Sequence, residues 1–159
     1  AVRANYAGFT ACPPVRLPAG QRDRIRAWAA MQFGEESGFV AWIDLKRLDY
    51  ALREQDLDLA QTLYRRLTTV LNRYPDESML GLRDLDLLGA ELALAQGQFA
   101  LAQERWRHAL SLAQRSDASL IYPRGQPFES LHTRQALAGL AWLATLRGEA
   151  PDALREVLA

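Results

Sequence analysis

Cysteine, lysine and histidine are nearly missing from this chain, and each shortage removes a class of chemistry. Cys12 stands alone, so no intrachain disulfide and no thiolate metal cluster can form, and the redox compartment stays open. His108 and His132 are the only histidines, and no second histidine stands at His-x-x-x-His spacing. That pattern argues against a metal site and leaves no cofactor to expect. A Gly-x-Ser-x-Gly elbow, a Gly-rich phosphate loop and a dinucleotide fingerprint are also missing, so no enzymatic activity is expected.

Charge of one sign is lacking too. Nineteen basic and nineteen acidic side chains cancel, which leaves no overall field towards phosphate backbones or anionic lipid. Nucleic acid is therefore not an expected partner, and Arg65, Arg66, Arg105 and Arg107 are read as a solvated strip. Lys46 is the single lysine, a skew towards arginine that suggests a GC-rich, bacterial coding sequence and leaves cytoplasm or periplasm undecided. Uncharged helical runs such as 135–146 fall far short of the roughly 20 residues of a membrane span.

What is present is alanine and leucine, 53 of 159 residues, both strong helix formers. With 49% apolar and 24% charged residues, the composition is that of a folded all-α protein with room for one domain. Residues 1–20 carry Gly8, Pro13, Pro14, Pro18 and Gly20 and read as an extended arm. Periodicity then predicts helices over about 21–33, 38–53, 58–73, 80–96, 100–115 and 131–147, with a seventh from Pro151. In the first, Ile25, Trp28 and Ala29 are expected to form the apolar face; in the second, Trp42, Leu45, Leu48 and Leu52 share a stripe. Residues 116–129 break the rhythm with Pro123, Gly125 and Pro127, a loop long enough to be functional.

Three segments align across a turn and the helix after it. Gln55, Gly97 and Gly148 are each followed five positions on by Ala60, Ala102 and Ala153, and nine positions on by Tyr64, Trp106 and Val157. The alanines suit close helix crossings, and the larger residues fill the wedge towards the next hairpin. This pattern resembles the second half of a tetratricopeptide repeat. The likeness covers roughly 38–159 and is strongest in the turns. Ala90 and Ala141 meet the small residue expected in the first helix, where the first repeat has Leu48. Ala51, Ala93 and Ala144 stand where the family often has tyrosine. The spacings of 42 and 51 residues between turns exceed the usual 34.

The resemblance implies antiparallel helical hairpins, about 38–75, 80–115 and 131–159, stacked as a short right-handed TPR-like solenoid within a single helical-repeat domain, 21–159. A plain helical bundle is the competing architecture. The last hairpin is short in its second helix, so the stack is expected to dock there or to continue in a longer chain.

The resemblance further implies a protein-interaction module, a scaffold or adaptor in a larger bacterial assembly; the alternative is the ligand- or partner-sensing domain of a regulatory protein. In such repeats the first helices line the binding groove, which places Trp42, Asp49, Arg53, Asp84, Leu87, Glu91, Gln135 and Trp142 along it. That groove would be acidic with a tryptophan at each end, suiting a basic segment with one apolar anchor. The Lys and Asn pattern with which some family members grip a C-terminal carboxylate is missing. The second candidate contact is the loop carrying Tyr122, Arg124 and Phe128, residue types enriched at interfaces.

Overall fold

The computed structural model describes residues 17–73, 79–118 and 131–148. Within them lie six helices, and among the described residues there is no strand: α1 (Ala19–Phe33), α2 (Gly38–Glu54), α3 (Leu57–Leu71), α4 (Met79–Ala95), α5 (Phe99–Ala118) and α6 (Leu131–Leu146). Local chemistry sets the boundaries. Ser37 caps α2 by accepting from the Val40 amide, and Asp56 caps α3 by accepting from the Leu59 amide at 3.0 Å.

The three aligned turn residues share one backbone conformation. Gln55, Gly97 and Gly148 have φ of 61°, 73° and 66°, the left-handed region. In the first two turns the next amide returns to a carbonyl five residues back: Asp56 to Ala51 at 2.9 Å and Gln98 to Ala93 at 2.8 Å. That is the Schellman closure of a helix end, for which glycine is best suited.

The two larger apolar clusters among the described residues follow from the helix faces. Leu45, Leu48 and Leu52 of α2 meet Ala60, Leu63 and Leu67 of α3 and Leu85 and Leu92 of α4. Leu87, Ala90 and Ala93, also on α4, meet Ala102, Trp106 and Ala109 of α5 and Ala136, Leu140 and Leu143 of α6. Helix α4 thus feeds both cores, which its near-continuous apolar sequence allows. Helix α2 touches α4, and α4 touches α6, while among the described residues no contact joins α2 to α6.

Ala60 and Ala102 are fully buried at the hairpin crossings. Their partner rings point onward: Tyr64 lies against Gly89 of α4, and Trp106 lies against Gly139 of α6. Arg105 stacks over the Tyr64 ring at 4.4 Å and donates to the Gly89 carbonyl at 2.7 Å, so α3, α4 and α5 are tied at one point. The predicted wedge contacts thereby have defined acceptors, both glycines. Ala153 and Val157 of the third aligned segment lie outside the described residues.

Several expectations need correction. The arm ends earlier, since α1 begins at Ala19, and α5 runs to Ala118, into the predicted loop. The basic strip on the outer helices is broken up: Arg66 engages Glu35, and Arg105 is held over Tyr64. Trp42 leaves the α2 stripe and faces outward, because Ala41, Leu45, Leu48 and Leu52 already complete the buried row.

Candidate functional site

Helix α1 docks the opposite way from its expected orientation. Arg22 and Arg26, one turn apart, point inward with Ala29, whereas Ile25, Trp28 and Met31 face outward. The reason lies on α2. Asp44 is buried to 1% exposure, and a buried carboxylate requires cationic partners. Arg47 donates to its Oδ1 at 3.0 Å, Arg26 Nε approaches the same oxygen at 3.4 Å, and Arg66 Nε lies 3.6 Å from Oδ2.

Around that carboxylate the ion pairs continue. Glu35, in the turn between α1 and α2, binds Arg26, and it accepts from Arg66 at 2.5 Å. These guanidiniums, Arg26 first, hold the Glu35 carboxyl at about 2, against an ordinary 4.5. Arg47 also reaches Asp23 of α1 at 2.6 Å, and Arg22 reaches Glu54 at 2.8 Å while stacking on Tyr50 at 4.6 Å. Among the described residues the apolar part of the α1 interface is small, Ala29 and Ala30 on Val40 and Ile43. Charge pairing therefore sets the orientation of α1 and turns its bulky side chains out.

Those side chains join an aromatic ladder on the surface. Trp28 meets Phe33 edge-on with ring centres 6.1 Å apart, Phe33 meets Phe39 at 5.0 Å, and Phe39 stacks on Trp42 at 6.3 Å. The four rings are 55%, 55%, 46% and 53% exposed, and Met31 is 82% exposed. Aromatic and methionine side chains are enriched at protein interfaces, and contiguous exposed apolar patches mark interaction surfaces. Lys46, one turn beyond Trp42, sits 5.8 Å from the Trp42 ring.

Of the groove positions read from the repeat register, the structure brings some into useful places and not others. Trp42 anchors the ladder. Asp49 and Arg53 share the exposed side of α2 with it and are bonded to each other at 2.9 Å. Asp84 is hydrogen-bonded to His132 Nε2 at 2.7 Å, while Asp86 turns to His108 Nδ1 at 2.6 Å on the other side of α4. Burial pushes the Asp86 carboxyl up, against the pull of His108 and Arg105. Leu87, expected on the groove, is instead a core residue, 6% exposed between α4, α5 and α6. Glu91 and Gln135 are exposed on α4 and α6, and Trp142 is half-buried. Tyr122, Arg124 and Phe128 lie outside the described residues.

Of the carboxylates expected to line a groove, Asp49 is thus engaged by Arg53 and Asp84 by His132. What the sequence reading missed is the ladder, namely Trp28, Phe33 and Phe39. The available signal was Arg22 and Arg26 one turn apart on the same face as Ala29, a face whose guanidiniums demand carboxylates.

No protein-family model, curated protein or solved structure matches this chain. No helix among the described residues is long and apolar enough to cross a membrane.

Proposed function

We propose that this chain is a protein-interaction module, a TPR-like stack of helical hairpins that holds a protein or peptide segment and does no chemistry of its own. The observation that carries the reading is the aromatic ladder Trp28–Phe33–Phe39–Trp42, exposed along its whole length across α1 and α2, with α1 docked by its charged face. Binding energy at interfaces concentrates in a few tryptophan, tyrosine and arginine anchors, and this surface offers two tryptophans side by side with two phenylalanines. The stack is supported by the repeated ring-on-glycine contacts and by the row α2, α4, α6, whose half-buried Asp49 and exposed Arg53, Glu91 and Gln135 extend the surface away from the ladder.

The test is affinity capture with the whole chain and with a Trp28→Ala, Trp42→Ala double variant, compared by mass spectrometry. A protein captured by the wild type and lost in a folded double variant supports the module. Equal capture by both places the contact elsewhere, and turnover of a small molecule by the isolated chain overturns the reading.

A further inference from the structure

The charges around the ladder narrow the partner. Every carboxylate close to it in sequence already has a guanidinium: Asp23 with Arg47, Glu35 with Arg26 and Arg66, Glu36 with Arg73, and Asp49 with Arg53. Two cations differ. Arg24 bonds only to the Gly20 carbonyl, at 3.2 Å, and Lys46 meets only the Trp42 ring; among the described residues neither has a carboxylate partner. Arg24 stands one helical turn before Trp28, and Lys46 one turn after Trp42. The surface therefore reads, from one end to the other, cation, four aromatic rings, cation.

We propose that the ladder binds an acidic amphipathic protein segment, with apolar side chains seated on the rings and carboxylates at both ends meeting Arg24 and Lys46. The proposal rests on the interaction-module reading and specifies its ligand. Complementary charge at the rim selects partners and register, while the aromatic centre supplies affinity. It replaces the basic segment expected for the groove, since the groove carboxylates Asp49 and Asp84 are already engaged by Arg53 and His132.

Two other occupants fit less well. A second copy of the chain, related by a two-fold axis, presents the same two cations from the other side, and like charges then face each other across the interface. An anionic membrane gains about 1 kcal/mol per basic residue near its surface, and membrane-binding patches gather about four to eight, whereas two are present here.

The experiment is selection of a random-peptide display library on the immobilised full chain. Enriched peptides are expected to carry Asp or Glu on both sides of Phe, Leu or Trp. An Arg24→Glu, Lys46→Glu double variant should bind them about tenfold more weakly or worse and should instead select Lys- or Arg-flanked peptides. Enrichment of basic or neutral peptides, or indifference to the double variant, overturns the acidic ligand but leaves the interaction module standing. No enrichment at all counts against both. Two parallel measurements cover the rival occupants: co-sedimentation with phosphatidylserine vesicles that is lost in Trp28→Ala, or dimerisation in analytical ultracentrifugation that is lost in the same variant, overturns the proposal in favour of lipid or of self-association.

Discussion

Tyr64 of α3 rests its ring directly on Gly89 of α4: a Cβ added at that glycine would stand 2.5 Å from the ring Cε2. The same relation recurs one hairpin later between Trp106 and Gly139, where the added atom would overlap the indole. Trp106 is buried to 3% exposure and cannot swing away, whereas Tyr64 is only half-buried. Gly139→Ala is therefore expected to destabilise by about 1–3 kcal/mol, net of the roughly 1 kcal/mol gained in helix propensity, and Gly89→Ala by less. Urea denaturation measures both. Combining Gly139→Ala with Trp106→Leu should recover part of the loss, a non-additivity that marks direct contact.

Gln55 holds a left-handed turn in which the equivalent positions are Gly97 and Gly148. A side chain with a Cβ is strained there, so Gln55→Gly is expected to stabilise the chain by about 0.5–1 kcal/mol, seen as a higher melting temperature. Glycine normally lowers stability through chain entropy, and a rise is the opposite sign. A fall would show that the turn conformation is not the one described.

The turn and the ring were legible in sequence because both depend on local rules. A residue with positive φ follows α2, α4 and α6, and a fixed count of residues later a small and then a large side chain repeat in the sequence. Their partners were not legible. Gly89 and Gly139 look like ordinary helix residues until the next hairpin is laid against them. Asp44 likewise reads as a surface charge on α2, and only the approach of three arginines from α1, α2 and α3 makes its burial tolerable.

Asp44 should accordingly be the most sensitive charged residue of the chain. Asp44→Asn leaves Arg26, Arg47 and Arg66 around a neutral amide, and breaking a buried pair from one side costs about 3–5 kcal/mol. Glu54→Gln, which removes only the exposed bridge to Arg22, is expected to cost less than about 1 kcal/mol. Comparing the two midpoints in guanidinium-free urea titrations tests the difference.

Glu35 provides the pH dependence. Its carboxyl titrates at about 2 in the folded chain, held down first by Arg26 and then by Arg66, against an ordinary 4.5. A depressed folded value means that the stabilisation is present above about 4.5 and is lost as pH falls towards 2. Wild type should be more stable than Glu35→Gln at neutral pH, with the gap closing over that acidic window. Because Glu35 lies at the surface, strong salt should shrink the gap at neutral pH as well.

The candidate surface was legible only in part. Trp42 reads in the sequence both as a groove position and as part of the α2 stripe, and it faces outward; Trp28, expected on the apolar face of the first helix, is exposed as well. Hydrophobic periodicity assumes that a helix docks by its apolar side, and α1 breaks that assumption because Arg22 and Arg26 find carboxylates beneath them. The apolar face of α1 is turned outward by that pairing.

That outward face is tested most directly by photo-crosslinking from within it. Benzoylphenylalanine in place of Met31 sits on the exposed side of α1 beside Trp28, and the same group in place of Arg65 sits on the exposed side of α3. Expressed in the source cell and irradiated, the Met31 variant is expected to form a discrete protein adduct that disappears when Trp28 and Trp42 are both alanine, and the Arg65 variant is expected to form none. Adducts of equal yield from both positions, or none from Met31, would contradict an interaction surface on the aromatic ladder.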